Sequence, residues 1–362
     1  MQTLAYCPHL PAVLERLQQL YARRGLDRVY ASFGLPSPAL AEFARRTPAG
    51  PCAPPDPQER ARHWDAVLRQ RPAVEDDRVP AAYLSELDQG LYGALCGGEI
   101  RFTADPDTGW ISSMVPPLLA SWDQLDGLDW DRQGPRAQWY ERFLKAFAGA
   151  ASGRFGVSHF ILIDGLNFAF ELRGATRTYL ALSEDPERLR QAIDLAFALN
   201  CWVQDRFFET VPLVGGGTCS NMASWLPGRA VSESIDPFHM TSVEYFEKWG
   251  VESVERILAH YDGGGIHLHG NGRHLLEAAC RIRGLRLLYL ADDRGFPRAF
   301  DLLPELRRRA GDMPLVVGVP FPDFVQALRR HALVGGCFYV VRDAPDADAA
   351  RRAMDDVREY RS

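Results

Sequence analysis

Residues 267–272 read His-Leu-His-Gly-Asn-Gly and close a short apolar run over 265–269. In an extended strand, side chains two apart leave the same face, so His267 and His269 are expected to project together. Paired imidazoles pack poorly in a core, because each ring needs partners for a donor and an acceptor nitrogen. They suit a zinc ion, which takes nitrogen and sulfur ligands in tetrahedral geometry. A third ligand must then come from elsewhere, and Cys337, after Gly335-Gly336, and Cys219 are the candidate thiolates. Without a metal, the same pair can act as general acid and base near neutral pH. The plain alternative is two rim histidines bonded to carboxylates such as Asp292 or Asp293.

Other side chains with chemistry to offer follow the ends of apolar runs. Asp164 closes one run, Asn271 and Arg273 follow the histidines, and Asp292, Asp293 and Arg294 follow the run over 285–291. The arginines have the forked geometry that holds a carboxylate. Asp292 and Asn271 are candidates for orienting a ligand or a substrate, and Asp292 for handling a proton. Gly215-Gly216-Gly217 lacks the Lys and Ser/Thr of a phosphate-binding loop and is expected to be a tight turn.

These positions gain meaning from the elements that hold them. Short apolar runs occupy 28–33, 99–102, 159–164, 211–215, 265–269, 285–291, 314–319 and 337–341, with helical periods between most of them. Asp56-Pro57 and Asp185-Pro186-Glu187 open two of the helices as cap and first turn. Strands buried on both faces and joined by helices are the mark of a parallel sheet, and eight of them suggest a closed barrel. In such folds ligands bind beyond the carboxyl ends of the strands, where the residues above lie. Residues 1–79, with a proline-rich stretch at 46–57, are expected to form a helical extension packed on a barrel of residues 80–362, the whole making a single structural domain.

Composition narrows the class. The chain has 362 residues, 46% hydrophobic and 24% charged, with a net charge of −6. That balance speaks against a nucleic-acid partner, which calls for a basic face. No apolar window has the length of a membrane span, and the first 24 residues lack a signal-peptide layout. The seven cysteines include no Cys-x-x-Cys pair, so reduced thiols in a cytoplasmic protein are expected.

Several strings together are similar to the uroporphyrinogen decarboxylase superfamily. They are Ser-Trp-Leu-Pro-Gly at 224–228, Asp236, Met240-Thr241-Ser242 and Gly-Gly-Gly-Ile-His-Leu-His-Gly-Asn-Gly at 263–272. Residues 93–102, Gly109-Trp110, Leu172-Arg173-Gly174 and Asp185-Pro186-Glu187 fit earlier in the chain. The resemblance spans residues 80–342, about three-quarters of the chain. It implies a somewhat distorted (β/α)₈ barrel and one of two chemistries. The decarboxylase branch works on a carboxylated tetrapyrrole without a cofactor and carries an N-terminal Arg-Gln-Ala-Gly-Arg type motif. The nearest string here, Ala22-Arg23-Arg24-Gly25, has neither its order nor its spacing. The methyltransferase branch moves a methyl group between a corrinoid protein and an acceptor, with zinc on His-x-Cys and a distal Cys. By that pattern His267 is the histidine, His269 replaces the first cysteine, and Cys337 is the distal one. The substitution makes a harder ligand set that donates less charge to the metal. The resemblance therefore implies a zinc-dependent methyltransferase acting with a corrinoid or a small methylated substrate. A decarboxylating lyase, with His267 or His269 handling protons and Arg273 or Arg294 binding carboxylates, is the second reading. A non-catalytic binder of corrinoid or tetrapyrrole is the third.

Overall fold

The computed structural model describes residues 3–71 and 73–362. Nine of the described strands lie in parallel ladders: β1 (Val29–Phe33), β2 (Ala81–Tyr83), β3 (Gly156–His159), β4 (Val231–Ser234), β5 (Gly264–Leu268), β6 (Leu285–Leu290), β7 (Leu315–Pro320), β8 (Cys337–Arg342) and the short Gly217–Ser220, which pairs with β3. Six of them form one sheet in the order β1-β8-β7-β6-β5-β4. Strands β2 and β3 belong to a second sheet, which continues through Gly217–Ser220 into an antiparallel hairpin with Ser224–Pro227.

Two seams join the sheets, and neither is a regular ladder. On one side Leu162, just past β3, forms an isolated parallel bridge with Glu233 of β4, and its N–H donates to Ser232 O at 2.9 Å. On the other, carboxylates replace a strand edge. Asp77 and Asp76 accept from the N–H groups of Ala31 and Phe33 at 3.0 and 2.8 Å. Arg16 and Arg71 pair with those acids at 2.5 and 2.6 Å. Among the described residues, no ladder closes on itself.

Alternation sorts the strand side chains. Leu315, Val317 and Val319 of β7, and Cys337, Tyr339 and Val341 of β8, join the large core beneath the helices. Tyr30, Leu287, Val316 and Phe338 point the other way, into a second cluster. The helix Leu10–Tyr21 fills that cluster with Leu10, Val13, Leu14, Leu17 and Leu20, all buried. It forms a floor under the amino ends of the strands, pinned by the Tyr21 hydroxyl donating to Ala223 O at 2.8 Å.

Three expectations need correction. The first 79 residues are not purely helical, because they supply β1, which lies beside β8 in register Val29↔Cys337. The run over 211–215 is not a strand. It leaves the helix Pro186–Thr210 and enters a turn in which Gly215 and Gly216 have φ of 55° and 79°, conformations that disfavour a Cβ. The run over 99–102 belongs instead to an antiparallel hairpin, Arg101–Asp105 with Trp110–Met114, flanked by Gly50–Cys52. Its buried and exposed residues alternate strictly, so one face stays wet and it cannot be a stave of the parallel sheet.

Candidate metal centre

Strand β5 places the histidines. Ile266 and Leu268 turn into the helix-covered core, so His267 faces the opposite side, in register with Tyr289 of β6. His269 follows one step beyond the strand end on that same side, with the two ring centroids 5.0 Å apart. Strand β4 runs beside β5 and delivers Asp236 two residues past its end. One ligand atom from each of Asp236, His267 and His269 lies within 4.8 Å of the other two.

The three side chains form a compact cluster whose ligand atoms could hold an ion. Asp236 Oδ1 is 2.8 Å from His267 Nε2 and 3.7 Å from His269 Nε2. Despite these distances, Asp236 Oδ1 is buried with no aligned hydrogen-bond partner among the described residues. His269 is held from behind, because its Nδ1 is 2.8 Å from Asp293 Oδ1, while the N–H of Gly270 donates to Asp293 Oδ2 at 2.5 Å. With Nδ1 donating, Nε2 is left as an acceptor facing Asp236, the arrangement found behind metal-bound histidines. The plain alternative of a histidine tied to a carboxylate thus holds for this outer nitrogen. Burial opposes the charge on Asp236, but contact with His267 and the field of His267, His239 and His269 outweigh it, holding the carboxyl down to about 2.

A third imidazole stands close by. His239 Nδ1 is 3.7 Å from Asp236 Oδ1, and burial pushes its pKa down to about 4, against the pull of Asp236. Its ring fits because position 272 is glycine, where a Cβ would sit 2.2 Å from the imidazole.

The triad opens into a cavity of about 760 Å³ at the carboxyl ends of the strands. Trp110 and Met114 of the antiparallel hairpin, Tyr179, Met222 and Met240 form much of its wall. Asp88 and Glu171 face it as well, and its lining contains no lysine or arginine among the described residues. Burial pushes Asp88 up to about 6, although the Tyr83 hydroxyl donates to it at 2.6 Å. Burial also pushes Glu171 up to about 8, against a hydrogen bond from the Gly93 backbone.

Other expected site residues lie elsewhere. Cys337 opens β8 at the amino end and turns outward under the helices, where burial pushes its thiol up to about 12. It is too far down its strand to meet the histidines at the carboxyl end, and the residue that stands beside them there is Asp236. Cys219 is packed in the floor cluster, its thiol likewise pushed up to about 12 by burial. Asp164 is buried at the start of the helix Gly165–Arg173, with Ser253 Oγ 3.4 Å away, and does not line the cavity. Asp292 accepts from the Ala299 N–H at 2.7 Å and so shapes its own loop; its neighbour Asp293 touches the histidine. Arg273 spends its guanidinium on the carbonyls of Pro297 and Ala291, at 2.5 and 3.3 Å. Arg294 is exposed and lies outside the cavity lining, as does the half-buried Asn271, whose amide reaches Met240 Sδ at 3.5 Å.

The sequence matches no family model and no curated protein. Among solved structures, the chain is similar to a methyltransferase from Methanosarcina mazei, with a TM-score of 0.59 and 14% sequence identity, covering 96% of this chain and 98% of that one. The two share a fold. At that identity the likeness reaches the arrangement of elements and stops short of the chemistry. No described helix is long and apolar enough to cross a membrane.

Proposed function

We propose that this chain is a metal-dependent enzyme of the methyltransferase branch of the uroporphyrinogen decarboxylase superfamily. In this reading the strands β1 to β8 make a distorted (β/α)₈ barrel, and Asp236, His267 and His269 hold zinc at the mouth. The observation that carries it is the convergence of those three ligand atoms within 4.8 Å, at the floor of an open cavity. Two imidazole nitrogens and a carboxylate oxygen are an accepted zinc set that leaves positions for a ligand. Bound there, zinc would supply Lewis acidity and lower the pKa of a coordinated acceptor group.

The chain's own residues do the rest. Asp293 fixes the orientation of His269, and His239 packs against Asp236 from the other side. Trp110, Met114 and Met240 line the cavity while remaining 37%, 61% and 73% exposed, so they leave apolar surface at its mouth. That surface suits a corrinoid delivered by a partner protein. The decarboxylase alternative fits less well, because a polycarboxylated tetrapyrrole would enter a cavity that presents carboxyl groups and, among the described residues, no guanidinium.

Protein purified without chelator is expected to contain about one zinc per chain and to demethylate methylcobalamin in the presence of a thiol. Asp236→Ala and His267→Ala should lose both properties. A metal-free protein that is fully active, or a variant that keeps its zinc, would refute the assignment. Turnover abolished by His267→Ala also excludes a purely binding role.

A further inference from the structure

The cavity has an unbalanced charge. Three carboxyl side chains, Asp88, Glu171 and Asp236, line it, against two imidazoles and no lysine or arginine among the described residues. The metal triad accounts for Asp236. It does not account for the other two. Asp88 Oδ2 takes the Tyr83 hydroxyl, but Oδ1 is buried without a partner, and so is Glu171 Oε2. The two acids also repel each other, since the charge of Asp88 disfavours ionisation of Glu171. Buried polar atoms are nearly always satisfied, so each such orphan calls for an explanation. The rest of the lining is rich in aromatic and thioether groups: Trp110, Tyr179, Phe170 and Tyr289 contribute rings, and Met114 and Met222 polarisable sulfur. Aromatic faces cannot ligate an inorganic ion through lone pairs, but they attract a weakly hydrated organic cation.

From this we infer that the cavity binds an organic ammonium, with Asp88 and Glu171 as its counter-ions and the aromatic wall around its alkyl groups. The inference rests on reading the cavity as the reaction site, and it names the chemical class of ligand that site takes: an organic ammonium. A cation is the kind of molecule a carboxyl-lined pocket accepts while excluding anions.

Calorimetric titration of the full chain with choline, and with its uncharged carbon isostere 3,3-dimethylbutan-1-ol, tests it. Choline is expected to bind at least about tenfold more tightly. Glu171→Gln, and separately Asp88→Asn, should bring choline down to the level of the isostere while zinc content stays that of the unaltered protein. Equal binding of the two compounds, no binding of choline, or displacement of choline by potassium chloride would overturn the inference, and none of these depends on a variant folding. Choline binding by a protein that holds no zinc would sink the metal assignment alone. Zinc bound without choline recognition would sink this inference alone.

Discussion

Asp293 and His269 form a hydrogen-bonded pair, Oδ1 to Nδ1 at 2.8 Å, and the pair aims the opposite ring nitrogen at Asp236. Asp293 is itself fixed. Burial opposes its charge, yet the Gly270 N–H and His269 hold its carboxyl below the usual range. An imidazole whose tautomer is set in advance loses less on binding a metal than one free to rotate.

Asp293→Ala should therefore weaken zinc binding by about 10- to 100-fold, the usual effect of removing a carboxylate behind a metal-bound histidine. Competition with a chromophoric chelator measures it. An unchanged affinity would mean that the ring is oriented by something else.

Cys337 gives the contrasting case. Its thiol lies at the amino end of β8, so Cys337→Ala should leave zinc content unaltered. The cost should appear in stability alone, about 1 kcal/mol for a small buried side chain, read from denaturant unfolding. Loss of zinc from this variant would return the cysteine to the ligand set.

The pH dependence of choline affinity has a defined sign. Glu171, raised to about 8, carries a proton below that value, and the proton must leave before the carboxylate can pair with a cation. Choline has no titrating group in this range, so affinity should rise with pH, by up to about tenfold per unit, and level off above about 8. The titratable groups facing Glu171 are Asp88, raised to about 6, and Cys96, raised to about 12, neither of which changes state between 7.5 and 9. A flat profile over 6.5 to 9 would remove Glu171 from the binding site.

At the seam between the sheets, Asp77 is buried, bonded to the Ala31 N–H and paired with Arg16. Asp77→Ala strands a partly buried guanidinium and a strand N–H together. We expect a loss of about 3–5 kcal/mol, the scale for breaking one side of a buried pair. A loss under about 1 kcal/mol would show that the seam does not depend on this carboxylate.

Strands were legible where both faces are apolar. The runs that became β5, β6, β7 and β8 lie within a residue or two of their expected bounds. Strand β4 reads Val-Ser-Glu-Ser, and nothing in its hydrophobic pattern marks it. Its Ser232 hydroxyl instead meets those of Ser220 and the His159 ring, at 3.0 and 3.2 Å. Because β4 is hidden, so is the reason Asp236 stands beside β5, and a distal cysteine filled the gap in the expected ligand set. The histidine pair itself was readable, since two residues of one strand need only a period of two. Asp88, Glu171 and Trp110 come from separate parts of the chain and meet only through tertiary packing, which no local spacing records.

The helix Leu10–Tyr21 seals the lower end of the strands, and this has a kinetic implication. On the proposed function, reactants and products would both pass the opening at the carboxyl ends of the strands. A donor and an acceptor cannot approach from opposite ends as they would in a tunnel. Either they take turns, with the first product gone before the second reactant arrives, or they sit side by side in the entrance, and steady-state patterns with two varied reactants will tell a ping-pong exchange from a ternary one.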